Sequence, residues 1–291
     1  MTTLPVTIAI PTYNRGLMVV DTLMRLFALE PAAAEIVVVD QTPHATGELS
    51  RWHDEGRIRW IRMPQPSIPQ AMNVALSAAS HPLVLFLDDD VIPSPALVAA
   101  HVAAHGDDNV WAVVGQILQP DERPQHHAAP ADDLEFRFNH DAPVDVANVM
   151  AGNLSVKRMR AIAIGGFDEN YIGAAYRFET DFALRLVAAG GRIRFEPRAS
   201  LDHLKLASGG LRSYGDHRST TSPLHAVGDY YFALHHRLPL WRYTAARLRK
   251  NVLTRWHLRH PWAIPTKVIG ELRGLLLARR LQRQGRRLMP R

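Results

Sequence analysis

Leu83 to Asp90 reads LVLFLDDD, five apolar residues followed at once by three carboxylates. A run this short cannot span a membrane and shows no polar alternation. It is predicted to be a strand buried on both faces, as in the middle of a parallel α/β sheet. Ligands of such sheets sit outside the carboxyl ends of the strands, where Asp88, Asp89 and Asp90 fall. Along an extended chain Asp88 and Asp90 point to one side and Asp89 to the other. Two carboxylates on one side suit a hard divalent cation, with water and phosphate completing its shell. The same residues would equally make a solvated acidic turn ahead of a helix starting near Ser94. The stretch alone does not choose between these.

The flanking pattern agrees with a parallel sheet. Val6 to Ile10 (VTIAI) is predicted to be a first strand, broken by Pro11-Thr-Tyr-Asn-Arg15. A helix from Gly16 to Leu29 places Val19, Leu23, Leu26 and Phe27 on its inner face. Glu35 to Val39 forms a second strand ending in Asp40, and Arg57 to Arg62 a third. Pro69 to Ala79 is helical, with Ala71, Met72, Ala75 and Leu76 on one face. Strand–helix–strand units of this kind cross over right-handed, so Asp40 and the Asp88 cluster share one rim. Beyond them come a helix over Pro95–Ala104, a strand over Val110–Leu118 and a polar loop over Pro120–Ala142 with a short helix. A strand within Val144–Val156 carries MAGNLSV. The helix over Lys157–Ile164 is stopped by Gly165-Gly166, and that over Phe178–Ala189 by Gly190-Gly191. A short strand, Arg192 to Phe195, precedes Asp202-His203.

The chain has 291 residues and no cysteine, which excludes disulfides and thiolate metal sites and fits a reducing compartment. No signal peptide is recognised, and no apolar run reaches the roughly 18 residues of a membrane span. A cytoplasmic protein is expected. The net charge of +6 hides an asymmetry: from Arg237 onward 15 Lys and Arg face one acid, Glu271, while the preceding 236 residues carry −8. Helices are expected over Pro223–His236, Leu240–Leu258 and Val268–Leu281, the last with Ile269, Leu272, Leu276 and, less regularly, Leu275 on one side and Arg273, Arg280 and Arg283 beside them. This gives a division into 1–212 and a basic helical extension, 213–291. A basic tail attracts polyanions. Its aromatics (Trp241, Tyr243, Trp256, Trp262) are a feature nucleic-acid binders share, but no nucleic-acid motif is present and none is expected as a partner. Docking on the anionic inner face of a membrane is one expectation; a solvated basic helix pair, or packing on a partner subunit, is the other.

Five ordered stretches resemble the family 2 glycosyltransferases with the GT-A fold: PTYNR (Pro11–Arg15), VVVD ending at Asp40, LFLDDD ending at Asp90, GNLSVKR with GGFDE (Gly152–Glu169), and FETDFALRLVAAG (Phe178–Gly190). His203 is a sixth match, and the resemblance runs from Val6 to Arg212. It implies a mostly parallel central sheet flanked by helices, a donor such as a UDP-, GDP- or dTDP-sugar, a Mg²⁺ or Mn²⁺ ion, and a glycan, lipid-linked or small-molecule acceptor. Pro11, Thr12 and Tyr13 would border the base, Arg15 would reach phosphate, and Asp40 would accept from the base ring. Asp88 would lie near the ribose, with Asp89 beside it. Asp90 would bind the metal with His203. Asn153, Gly166, Phe167 and Asp168 would line the sugar and acceptor side. Glu179 falls where the family places its base. The family commonly has two adjacent acids there, so Asp181 is the alternative. An Ala-Arg-Asn run is replaced by Ala71-Met72-Asn73, leaving Arg15 or Arg62 to face phosphate.

The chemistry gives these groups work. A departing diphosphate gains charge that a divalent ion stabilises, and an acceptor hydroxyl needs a positioned base. The family implies a single displacement that inverts the anomeric centre. Each residue also has a plainer reading. Asp40 would cap a turn, Glu179 and Asp181 would be first-turn acids favoured by the helix dipole, and His203 would be one polar histidine among 15. Two other functions compete. A nucleotidyltransferase would want a glycine-rich loop where PTYNR stands, and a non-catalytic polyanion binder would rest on the tail alone.

Overall fold

The computed structural model describes residues 2–44, 47–127, 136–205, 210 and 216–290. Nine strands form one sheet: β1 (Thr3–Thr12), β2 (Ala32–Asp40), β3 (Arg59–Arg62), β4 (Leu83–Leu87), β5 (Val91–Pro93), β6 (Val110–Leu118), β7 (Val144–Val146), β8 (Asn153–Lys157) and β9 (Arg192–His203). Their order is β3-β2-β1-β4-β8-β6-β9-β5, with β7 also on β9. β3, β2, β1 and β4 are mutually parallel, and β8 runs against both β4 and β6. The helices are α1 (Leu17–Phe27), α2 (Gly47–Asp54), α3 (Ile68–Ala78), α4 (Leu97–Ala104), α5 (Arg158–Ala163), α6 (Phe178–Ala188), α7 (Val227–His235), α8 (Leu240–Asn251), α9 (Arg255–Arg259) and α10 (Ala263–Gln284). This is the expected GT-A type architecture.

The central strands β1, β2, β4 and β6 are largely apolar because both faces are covered. Ile8, Ile10 and Val38 pack with Val19 and Leu23 of α1 and Leu97 of α4. The alternate residues Ala9, Val37 and Val39 pack on the other side with α3, Phe167 and α6. Ala226, Val227, Tyr230, Tyr231 and Ala278 belong to that second cluster. Helix α7 and the small-residue face of α10 therefore pack on the sheet's own core. The predicted boundary at Arg212 lies outside the described residues.

Several elements differ from expectation for identifiable reasons. The strand over Val144–Val156 is two strands on different partners, β7 on β9 and β8 between β4 and β6. β9 runs on past Pro197. The register jumps there from Gly115↔Glu196 to Gln116↔Ser200, a bulge that absorbs the missing N–H. The helix over Leu240–Leu258 is interrupted, and Thr254 restarts it by accepting the N–H of His257 at 3.3 Å. The described part of the 120–142 loop contains no helix.

Candidate active site

The carboxyl ends of β1 and β4 open onto a cleft of about 440 Å³ bordered by Pro11, Thr12, Tyr13, Arg15, the three aspartates and His203. Its geometry follows from β5. Directly after Asp90 the chain pairs antiparallel with the end of β9, Val91 opposite His203. The imidazole Nε2 thereby comes 3.2 Å from Asp90 Oδ1 and 3.8 Å from Asp88 Oδ2. Its Nδ1 lies 3.1 Å from Gln119 Oε1, which orients the ring. Asp89 turns the other way, as strand alternation requires. It accepts from Thr12 Oγ1 at 2.6 Å and pairs with Arg15 Nε at 3.1 Å. Arg15 Nη2 also lies 3.4 Å from Asp90. Close approach of the backbone makes room for Asp88: a Cβ at Gly152 would lie 2.4 Å from Asp88 Oδ2.

Asp88 and Asp89 are both raised in their affinity for protons. Asp89 is pushed up to about 7 by burial, against the pull of Arg15 and Thr12. Asp88 is raised by loss of solvent first, with Asp90 adding to it and His203 opposing. His203 is raised by its hydrogen bond to Asp90.

A second cavity of about 640 Å³ adjoins the first and shares Tyr176, His217 and His225 with it. Glu179, in the first turn of α6, lines this second cavity. It accepts the N–H of Ala151, and its carboxyl is raised to about 7 by burial and by the nearby charge of Asp88. Tyr243, Arg177 and Lys250 are among the other lining groups.

A family model, glycosyl transferase family 2, matches residues 7–156, more than half of the chain. The chain belongs to glycosyl transferase family 2. No curated protein matches closely enough to name a relative. Similar solved structures include GalNAc-T7 with UDP, GalNAc and Mn²⁺: 16% identity, TM-score 0.59, covering 81% of this chain and 51% of that one. Another is the mannosyltransferase PcManGT from Pyrobaculum calidifontis in complex with GDP-Man and Mn²⁺: 19% identity, TM-score 0.56, covering 97% and 79%. A third is S. aureus TarS: 14% identity, TM-score 0.52, covering 69% and 37%. The chain thus spans about half the length of the GalNAc-T7 structure.

The family's divalent cation fits the donor set in this chain. One ligand atom each from Asp88, Asp90 and His203 lie within 4.8 Å of one another. Two hard carboxylate oxygens with one imidazole nitrogen suit Mg²⁺ or Mn²⁺. A cation there would offset the mutual repulsion of Asp88 and Asp90.

The structure separates the expected site residues into two groups. Pro11, Thr12, Tyr13, Arg15, Asp88, Asp89, Asp90 and His203 border the first cleft, and Glu179 the adjoining cavity. Asp40 sits at the rim beside Thr12, in a small recess with Thr42 and His44. It also caps the turn after β2, accepting from Thr42 N at 2.8 Å and from Trp60 Nε1 at 3.2 Å. Met72 borders the cleft where the family commonly has arginine. Among the described residues Arg15 is the arginine that borders the cleft, and Arg62 is tied to the carbonyls of Thr42 and Pro43.

The remaining assignments are corrected. Asn153 does not line the sugar side. It is fully buried, meeting His101 Nε2 at 2.8 Å and donating to the carbonyls of Gln116 and Ala199. Phe167 is core, stacked on Phe182 with ring centres 4.3 Å apart. Gly166 takes a left-handed turn at φ 60°, and its carbonyl accepts from Arg185 at 2.7 Å. Asp168 is buried and accepts from Tyr231 Oη at 2.9 Å and Arg287 N at 3.0 Å. The GGFDE turn therefore anchors the chain's C-terminal segment. Asp181 does not line either cavity and is held in a buried ion-pair network, among Arg185, His236 and Arg286 at 2.8, 2.9 and 2.7 Å. These partners hold it far below the usual carboxylate range, although burial alone would raise it. Sequence reasoning missed Lys205, Tyr176 and His217, which line the cavities. Lys205 lies two residues beyond His203 and was findable by that position.

Proposed function

We propose that this protein transfers a sugar from a nucleoside-diphosphate donor to an acceptor hydroxyl by a single inverting displacement. The donor occupies the cleft, its base along Pro11–Tyr13 and Asp40, with Arg15 and Lys205 toward the diphosphate. Asp90 and His203, with Asp88, hold a divalent cation, Mg²⁺ or Mn²⁺, which when bound offsets charge on the departing diphosphate. The acceptor, a glycan or lipid-linked sugar, enters the adjoining cavity, where Tyr176 and Tyr243 offer aromatic faces. Glu179 takes the proton of the attacking hydroxyl as that oxygen bonds the anomeric carbon and the sugar–phosphate bond breaks. A carboxyl near neutrality is matched to this task, since the proton moves with little mismatch at working pH.

One observation carries the reading. Glu179 lines the second cavity and accepts the N–H of Ala151, a residue that borders the first cleft, and its carboxyl is raised to about 7 by burial, with the charge of Asp88 adding to it. A thermal-shift screen of nucleoside diphosphates and their sugars, with and without Mn²⁺ or Mg²⁺, tests it. Ligands that bind only the folded state raise Tm by mass action. A metal-dependent rise with one nucleoside diphosphate is expected; no rise with any of them contradicts the reading.

A further inference from the structure

Helix α10 has two unlike faces. Lys267, Gly270, Glu271, Gly274 and Ala278 point inward. The glycines permit close packing, since a Cβ at Gly270 would lie 2.7 Å from the carbonyl of Thr220. Glu271, the single acid after Arg237, is held on that inner face by Arg247 at 3.0 Å and Lys267 at 3.2 Å. The opposite face is open. Val268, Ile269, Leu272 and Leu276 lie along it, with Leu272 56% and Leu276 55% exposed. Trp262, just before the helix, is 70% exposed. Arg273, Arg279, Arg280 and Arg283 are exposed at the margin and C-terminal end of this stripe.

We propose that this face docks on an anionic lipid bilayer, with α10 lying in the headgroup plane. Bulky apolar side chains bordered by arginines meet both demands of that interface, apolar insertion and attraction to negative headgroups. A second copy of the chain would bring two sets of arginines together with no acid between them, and like charges across an interface disfavour pairing. A nucleic acid would engage the arginines but leave Ile269, Leu272 and Leu276 in water. Lys267 on the inner face of the same helix lines the cavity that receives Glu179. The bilayer would therefore lie about one helix diameter, roughly 10 Å, from that cavity. An acceptor attached to the membrane follows if the cavity is the acceptor site; that consequence rests on the proposed function, whereas docking does not.

The test is co-sedimentation of the full chain with phosphatidylglycerol–phosphatidylcholine vesicles and with phosphatidylcholine alone, at low and physiological salt. The wild type is expected to sediment with the anionic vesicles and to weaken as salt rises. Each arginine near anionic headgroups strengthens binding about fivefold, so Arg279→Glu/Arg280→Glu/Arg283→Glu should lose more than about a hundredfold. Leu272→Glu/Leu276→Glu should lose binding to the same vesicles. Both variants should keep the wild-type Tm and its response to Mn²⁺ with nucleoside diphosphates. Wild-type vesicle binding by both variants overturns the proposal, as does a wild type that ignores anionic vesicles. A dimer in solution that Leu272→Glu/Leu276→Glu dissolves would give the face to a second copy instead. Vesicle binding without any nucleotide response would leave docking standing and remove the catalytic reading.

Discussion

Glu179→Gln should make the protein more stable and inactive at once. The carboxyl ordinarily titrates near 4.5 and is raised to about 7 in the fold by burial. Moving from 4.5 to about 7 corresponds to about 3 kcal/mol between the two protonation states. The folded state binds the proton more tightly than the unfolded one between these values. The favourable contribution is therefore full below about pH 4.5 and is lost as pH rises through about 7. At pH 8 the buried charge costs about 3 kcal/mol, which glutamine does not carry while still accepting the N–H of Ala151. For 291 residues that is a rise in Tm of about 5 °C, from an unfolding entropy of about 2 cal/mol/K per residue. At pH 5 the advantage should shrink below about 1 kcal/mol. Sugar transfer, followed as nucleoside-diphosphate release in the presence of acceptor, should fall by about 10²–10⁴. The wild-type rate should decline below pH 7 as the base protonates. Calorimetry of both proteins at pH 8 and pH 5 decides the stability claim. An equal Tm at pH 8, or a gain that does not depend on pH, would refute the reasoning that this carboxylate is held charged against its surroundings.

Gly152→Ala should damage the site without unfolding the chain. Its Cβ would meet Asp88 Oδ2 at 2.4 Å, so the carboxylate must move by about 1 Å, a displacement that costs about a hundredfold in placement-dependent rate. Calorimetry should find little change in Tm while metal-dependent nucleotide binding weakens. Asp181→Ala should do the reverse. It strands Arg185 and Arg286 in a buried network and costs about 3–5 kcal/mol, while donor binding in the cleft persists. Acid should loosen α4. His101 and His105 bracket Ser155, at 2.9 and 2.8 Å, and burial holds them down to about 4 and about 3. The unfolded state binds more protons below about 6.5, so stability falls as pH drops. His101 alone should remove about 2 kcal/mol by pH 5. Urea unfolding in the Glu179→Gln background, where that carboxyl no longer offsets the trend, should show the loss; a flat profile from pH 7 to 5 would contradict it.

Most of the sheet was legible because its strands are buried on both faces and need no alternation to announce them. Val110–Leu118 and Leu83–Leu87 appear with the predicted bounds. The rim was legible for the same reason, since acids directly after an apolar run must emerge at a strand end. What failed was side-chain direction within matched motifs. Asn153, Phe167 and Asp168 sit inside the fold, where a motif marks a packing requirement as readily as a contact with substrate. Asp181 meets Arg286 across 105 positions, a pairing no local pattern reveals. Two elements carried too little signal. Helix α2 shows only Leu49 and Trp52 as buried positions, and β5 has three residues, yet β5 brings His203 to Asp90. The strand expected over Arg192–Phe195 runs on to His203, and the bulge that carries β9 past Pro197 has no sequence signature. The apolar stripe of α10 was visible from its spacing, but spacing alone does not say whether such a face is buried or open.

Electron paramagnetic resonance of Mn²⁺ titrated into the protein with a nucleoside diphosphate tests the core assignment most directly. One bound ion per chain is predicted, showing phosphorus coupling from the diphosphate and nitrogen coupling from the His203 ring. His203→Ala should remove the nitrogen coupling, and Asp90→Ala should release the ion. Bound manganese without phosphorus coupling, or nitrogen coupling that survives His203→Ala, would contradict a nucleotide–metal site at the end of β4.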